Sequence, residues 1–287
     1  MNRLVSGDIQ RWTALTRTFI QLLDEKHILL QFNDPEMSSL IAKRGWDGSV
    51  QPQPNSDFLM VVDSNIGFNK TNALMQTTHD YTVNLTNLIQ PVGNLAITLT
   101  NNSQVNSGTG TECIQAGGDF RKLPLDQRNY LINDCYWTYL RIYTPSNSQL
   151  ISSTPQEIPQ KWPLREQIIP ARTDILAENI PGVHSFGTLL VVPRGKTHQT
   201  NFSYRLPAMV VTNGSDGDKF KYNLKIQKQP GTLAVPLTFH LILSPGMIVS
   251  DAPNGLIQNQ QAQNEWILKI DLHRDTLIEI SVRTIEQ

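Results

Sequence analysis

Charge is scarce in this chain. Lys, Arg, Asp and Glu make up 17% of its 287 residues, and 24 basic side chains stand against 25 acidic ones. With no excess of either sign there is no field to gather nucleic-acid phosphates or an anionic membrane, so nucleic acid is not an expected partner. Long apolar runs are missing too. The best of them, Leu237 to Val249, is broken by His240, Pro245 and Gly246 and falls short of the roughly 20 residues that cross a bilayer. The opening residues 1–7 lack the apolar centre of a signal peptide. Two readings stay open: a cytosolic protein, or the soluble part of something longer. No G-x-S-x-G, H-E-x-x-H or G-x-G-x-x-G occurs, so neither a catalytic residue nor a cofactor is expected.

Cysteine is nearly absent. Cys113 and Cys135 are the two present, without a CxxC pattern or a His pair at zinc-finger spacing. They are either a disulfide closing an irregular loop or two buried thiols. The disulfide would require an oxidising compartment.

What the chain does have is a 39% hydrophobic content and an abundance of uncharged polar residues. Ile9, Trp12, Leu15, Phe19, Leu22 and Leu23 recur at helical steps, which predicts an amphipathic helix over 8–25. His27 to Phe32 reads as a short strand. Asp34-Pro35-Glu36 starts a second helix with Asp34 as N-cap and Pro35 in the first turn, ending near Gly45. Phe58 to Val62 is a continuous apolar strand. Asp80 to Leu88 and Asn94 to Thr100 alternate and read as an antiparallel hairpin. A short helix is expected around Leu125 to Leu131. The richest segment, Cys135 to Tyr143, places Leu140 and Ile142 on one face and Trp137, Tyr139 and Tyr143 on the other, so both faces should be covered.

Six further strand-like runs follow: Phe186–Val192, Gln199–Leu206, Phe220–Lys228, Pro236–Leu243, Trp266–Leu272 and Leu277–Ile285. The fold expected is mainly β with a small α/β N-terminal part. Residues 1–56 form that part, 57–165 a β-rich middle domain, 166–182 a connector, and 183–287 an immunoglobulin-like antiparallel β-sandwich.

The candidate binding segment lies just after the strand at 58–62. Asp63, Asn65, Asn69, Lys70 and Asn72 offer hydrogen-bond donors, acceptors and one point charge, suited to a sugar, a peptide edge or another subunit. The competing reading is architectural, because asparagines also cap turns and tolerate left-handed backbone. Asp271, His273 and Asp275 alternate and are weak metal candidates, against an ordinary solvated turn. Asp216-Gly217-Asp218 reads as a tight hairpin loop. Asn-x-Ser/Thr sequons at Asn69, Asn84, Asn101, Asn201 and Asn213 support secretion only weakly in so Asn-rich a chain.

Several segments are also familiar in order: Glu25 to Leu30, Gly45-Trp46-Asp47-Gly48, Asp57 to Lys70, Cys135 to Pro145, and Gln227-Lys228-Gln229-Pro230-Gly231. Together they resemble the C-terminal half of the bacterial family called domain of unknown function 4012. The resemblance implies an envelope protein, extracytoplasmic and anchored by a membrane segment N-terminal to this chain. The family's motif rich in Gln, Asn, Glu, Arg and Gly-Gly-Phe has no counterpart here, and no activity comes with the likeness. The function expected is therefore a non-enzymatic structural or interaction module serving adhesion or surface assembly, with another envelope protein or a surface glycan as partner. The alternative is an accessory part of an envelope glycan-processing enzyme whose catalytic half lies elsewhere, with Asp63 and Lys70 completing a composite cleft.

Overall fold

The computed structural model describes residues 9–104, 112–115, 132–214 and 219–284. The short helix expected at 125–131 and the turn at Asp216-Gly217-Asp218 lie outside them. Two helices open the described chain, α1 (Ile9–Asp24) and α2 (Pro35–Lys43). The second starts as its sequence requires: the Asp34 carboxylate accepts from the Met37 N–H at 2.9 Å, which satisfies one of the free first-turn donors. Gly45, with φ +70°, ends it. The strand expected at 27–32 does not form. Its backbone instead sends one bond, Leu30 N–H to Trp46 O, to the turn after α2.

Strands build two sheets. The first contains β1 (Asp57–Asn65), β4 (Tyr136–Pro145), β6 (Asp174–Leu176), β7 (Val183–Val192), β9 (Val211–Asn213), β10 (Lys219–Gln227), β12 (Met247–Asp251) and β15 (Thr276–Thr284). Its order is β12-β15-β10-β1-β4-β7-β6, with β9 also on β10. The second contains β2 (Met75–Asn84), β3 (Val92–Asn101), β5 (Gln149–Ser153), β8 (Thr197–Arg205), β11 (Val235–Ile242), β13 (Ile257–Gln258) and β14 (Glu265–Leu272), in the order β13-β14-β11-β2-β3-β8-β5. The hairpin expected after residue 80 is β2–β3, antiparallel from Met75↔Asn101 to Asn84↔Val92.

The chain is thus mainly β, as its alternation predicts, and one core lies between the sheets. Leu59, Leu140, Ile142, Phe186, Tyr222 and Leu224 from the first sheet meet Tyr81, Val83, Leu95, Ile97, Phe202 and Phe239 from the second. Burying each such side chain contributes roughly 1.5–3 kcal/mol. At the centre is a carboxylate. Asp57 accepts the Tyr222 hydroxyl at 2.6 Å and the Tyr81 hydroxyl at 2.7 Å, one from each sheet. Burial raises its pKa to about 6, against the lowering effect of those two hydroxyls and the Phe58 N–H.

The pairing corrects the expected domain division. β1 is parallel to β10 (Asp57↔Leu224) and β2 is parallel to β11 (His79↔Leu237), so strands from 57–165 and from 183–287 share both sheets. The segment 166–182 contributes β6 to the edge of the first sheet rather than separating two units. Nor are the sheets purely antiparallel. The reason is that β1 leaves the first sheet to become β2 in the second, β10 leaves beside it to become β11, and each parallel pair follows from the other.

β4 is covered on both faces, as its composition requires. Leu140 and Ile142 enter the main core, while Trp137 packs with Cys113, Cys135, Ile158 and Val191, and Tyr143 with Phe58 and Met60. Cys113 and Cys135 are disulfide-bonded, with Cα atoms 5.4 Å apart. Disulfides persist in oxidising compartments, so the bond fits an extracytoplasmic protein. No described helix is long and apolar enough to cross a membrane.

Candidate functional site

Where β1 and β10 leave the first sheet side by side, the sandwich opens into a cleft of about 600 Å³. The end of β1 supplies Leu59, Val61, Asp63 and Asn65, the start of β2 supplies Met75, Gln76, Thr77 and His79, and β4 supplies Tyr136 and Leu140. The far wall is the crossover from Lys228 to Ala234. Sheet geometry explains the grouping. Asp63 and Asn65 continue the inward face of Leu59 and Val61, and Thr77 and His79 that of Tyr81 and Val83.

The candidate segment expected just after the strand at 58–62 is therefore partly strand, since β1 runs on to Asn65. Asp63 pairs with Leu140 across the ladder to β4. On the other side β10 has ended, and the Gln229 side chain stands in for it: Asp63 N–H donates to Gln229 Oε1 at 2.7 Å, and Gln229 Nε2 donates to Asp63 O at 3.0 Å. The Asp63 carboxylate accepts at Oδ1 from the Tyr136 hydroxyl at 2.7 Å and from the Thr138 hydroxyl. Burial pushes its pKa up, opposed by those two hydroxyls. Its own burial, and then the same carboxylate, push the Tyr136 hydroxyl up in turn.

The other four expected residues divide. Asn65 and Asn72 line the cleft. Asn65 Nδ2 donates to Asn69 O at 3.0 Å and to Asn72 Oδ1 at 3.3 Å, and its Oδ1 accepts from Gly67 N–H at 2.9 Å. Asn69 is buried and architectural: Nδ2 donates to Cys135 O at 3.1 Å and Oδ1 accepts from Thr71 N–H at 3.2 Å. That burial also removes Asn69 as a glycan acceptor, as does the burial of Asn101, whose amide donates to Asp134 O and Val192 O. Lys70 is exposed and is not among the residues lining the cleft, so it and Asp63 do not meet there. At the loop's tip Phe68 is 67% exposed with φ +56°.

Gln76 and His79 also line the cleft and were not singled out from the sequence. Gln76 follows the 3-10 turn Thr71–Leu74 and pairs with Thr100 in the β2–β3 ladder, while its side chain makes no hydrogen bond among the described residues. His79 is 8% exposed, and its Nε2 has no hydrogen-bond partner among the described residues. Burial alone lowers its pKa to about 4, so the imidazole is neutral near pH 7. The signal for it was present in the alternation His79, Tyr81, Val83, which sets an imidazole on an otherwise apolar inward face.

The cation nearest this wall is already engaged. Lys228 Nζ donates to the carbonyls of Thr232 at 2.6 Å, Glu25 at 2.9 Å and Gln229 at 3.3 Å. The cleft thus combines one carboxylate, a neutral imidazole and side-chain amides over an apolar floor.

The weak metal candidates are not brought together. Asp271 and His273 are exposed, and the His273 ring contacts Asp271 O, while the Asp275 carboxylate holds Lys26. No cluster of three or more metal-ligating side chains occurs among the described residues.

The fold and the cleft define a two-sheet β-sandwich with a recess at one end, apolar with a few polar groups. No protein-family model matches the chain, and no curated protein matches it. Among solved structures it is similar to a Legionella pneumophila protein provisionally described as nutrient-binding, at 7% identity and a TM-score of 0.44 over 79% of this chain and 71% of that one. It is also similar to an aminopeptidase N family protein from Idiomarina loihiensis, at 12% identity and a TM-score of 0.29, over 71% of this chain and 29% of that one. At these scores neither likeness carries a functional argument.

Proposed function

We propose that this chain is a non-enzymatic interaction module of a bacterial envelope protein, and that it recognises its partner through the end of the sandwich holding the cleft. The observation that carries the reading is the convergence of Asp63, Asn65 and Asn72 with Gln76 and His79 on one recess. Sites of this kind, apolar with a few fixed polar groups, are where ligands are held and oriented. The disulfide agrees with an extracytoplasmic setting. The resemblance to the envelope family adds an anchor beyond this chain and a role in adhesion or surface assembly, with another envelope protein or a surface glycan as partner.

The test is a paired substitution, Asn72→Ala with Gln76→Ala, in the full-length protein on its native cell. Reduced attachment or assembly with an unchanged melting temperature supports the reading. Unchanged attachment would sink it, and an altered glycan composition of the cell surface would favour the envelope-enzyme alternative instead.

A further inference from the structure

Six buried side-chain polar atoms lack a partner among the described residues: Thr71 Oγ1, His79 Nε2, Ser148 Oγ, Arg194 Nε, His198 Nε2 and Tyr204 OH. Of these, His79 Nε2 alone belongs to a residue lining the cleft. A buried polar atom left unpaired carries the desolvation cost of the lost water without the compensating bond, and such atoms in native structures call for a reason. Leu or Phe at position 79 would continue the inward face of Tyr81 and Val83 without that cost. A ligand that reaches the bottom of the cleft would supply the missing bond.

The remaining groups say what kind of ligand. The Lys228 ammonium is spent on three carbonyls and Asp63 faces the recess, so among the described lining residues no cation is free to hold an anion. Asp63 already accepts two hydroxyls at one oxygen, from Tyr136 and Thr138, which shows that its carboxyl suits O–H donors. The Asn72 Nδ2, the Gln76 amide and the Thr77 hydroxyl have no hydrogen-bond partner among the described residues. Neutral imidazole, amide and hydroxyl groups give and take hydrogen bonds in equal measure, and a ligand hydroxyl does the same. Val61, Met75, Ala73 and Leu233 add apolar surface on which the C–H face of a ring can rest. About 600 Å³ accommodates one or two such rings.

We infer that the cleft is a binding site for a neutral, polyhydroxylated ligand, a sugar residue in chemical class, with His79 Nε2 as the buried hydrogen-bonding anchor and Asp63, Asn72 and Gln76 as the groups above it. The inference rests on the interaction-module reading and narrows its partner to a glycan.

The experiment follows the His79 ring by long-range ¹H–¹⁵N NMR while glucose, galactose, mannose and N-acetylglucosamine, each as monosaccharide and disaccharide, are added separately, with putrescine and inorganic phosphate as charged probes. The expected result is a saturable shift of the His79 ring nitrogens with at least one neutral sugar, at a Kd around the millimolar range, and no comparable shift with either charged probe. Gln76→Ala should weaken that Kd several-fold. Because His79 could matter to folding, the second variant is His79→Leu, which should keep the melting temperature or raise it and abolish the sugar's saturation-transfer signal. A His79 ring indifferent to every sugar, or one shifted only by putrescine or phosphate, would overturn the inference. In that case, loss of cell attachment in the Asn72→Ala, Gln76→Ala protein would still leave the interaction reading standing with a non-glycan partner.

Discussion

Asp275 grips Lys26 across the whole length of the chain. The Lys26 ammonium lies 2.8 Å from one carboxylate oxygen of Asp275 and 2.9 Å from the other, and only 3% of the lysine is exposed. The same carboxylate accepts the Lys228 N–H at 3.0 Å, while Lys26 O accepts the Gly231 N–H at 3.0 Å. A residue just after α1 and a residue just before β15 thereby pin the crossover 228–234 that forms one wall of the cleft. Asp275 is a structural counter-ion, which explains why it does not join Asp271 and His273 as a ligand.

Removing one partner of a buried pair strands the other charge, at a cost of about 3–5 kcal/mol. Asp275→Ala should lower stability by about that much. It should also expose the 228–234 crossover to limited proteolysis before the sheets unfold. Global unfolding with no early cut there would show that the crossover does not depend on this clamp.

Reduction of Cys113–Cys135 should cost about 3 kcal/mol in the chain-entropy model for a loop of this length. Denaturant titration with and without reductant measures it. The strands of the main core should survive, because the disulfide packs with Trp137, Ile158 and Val191 on the outer face of β4 rather than between the sheets.

Two buried groups give opposite pH dependences. His79 is lowered from 6.5 to about 4, so between those values the unfolded chain takes up a proton that the native imidazole refuses. Stability therefore falls as pH drops through that window, by about 3 kcal/mol. In His79→Leu this loss should vanish, so the variant gains on the native protein by about that amount between pH 6.5 and 4. Equal pH profiles for the two proteins in chemical denaturation would refute the account of His79 as a buried neutral ring.

Asp57 works the other way. Its pKa rises from 3.8 to about 6, so the native state holds a proton that the unfolded chain releases, and stability falls as pH rises through that window, by about 3 kcal/mol. Asp57→Asn should abolish this loss, becoming more favourable relative to the native protein from pH 4 to 7. In the native protein these two contributions oppose one another between about pH 4 and 6, so the single variants reveal them.

Much of the architecture is legible in local pattern. The N-cap at Asp34, the hairpin of β2 and β3, and the two covered faces of β4 follow from spacing and residue type, because each depends on neighbours a few residues away. The domain division was not legible, for a physical reason. The parallel pairs β1–β10 and β2–β11 join residues such as Asp57 and Leu224, or His79 and Leu237, whose register is set by long-range packing and leaves no local trace. The residues of the candidate segment divide in role. Amide-rich sequence marks both a binding surface and a self-satisfied turn, and here Asn69 serves the turn while Asn65 and Asn72 line the recess. His79 and Gln229 matter only once two distant crossovers are brought side by side.

The central claim, that this end of the sandwich is where the partner sits, is tested most directly by plugging it. Ala73 lines the cleft and is exposed, so a large side chain there can fill the mouth without entering the core. The measurement is binding of the purified protein and its Ala73→Trp variant to an envelope fraction of the native cell, with the melting temperature of each recorded alongside. At an unchanged melting temperature, the account predicts that Ala73→Trp weakens binding at least about tenfold, the equivalent of 1.4 kcal/mol. Full binding by a folded, plugged variant would contradict it and move the recognition surface elsewhere on the molecule.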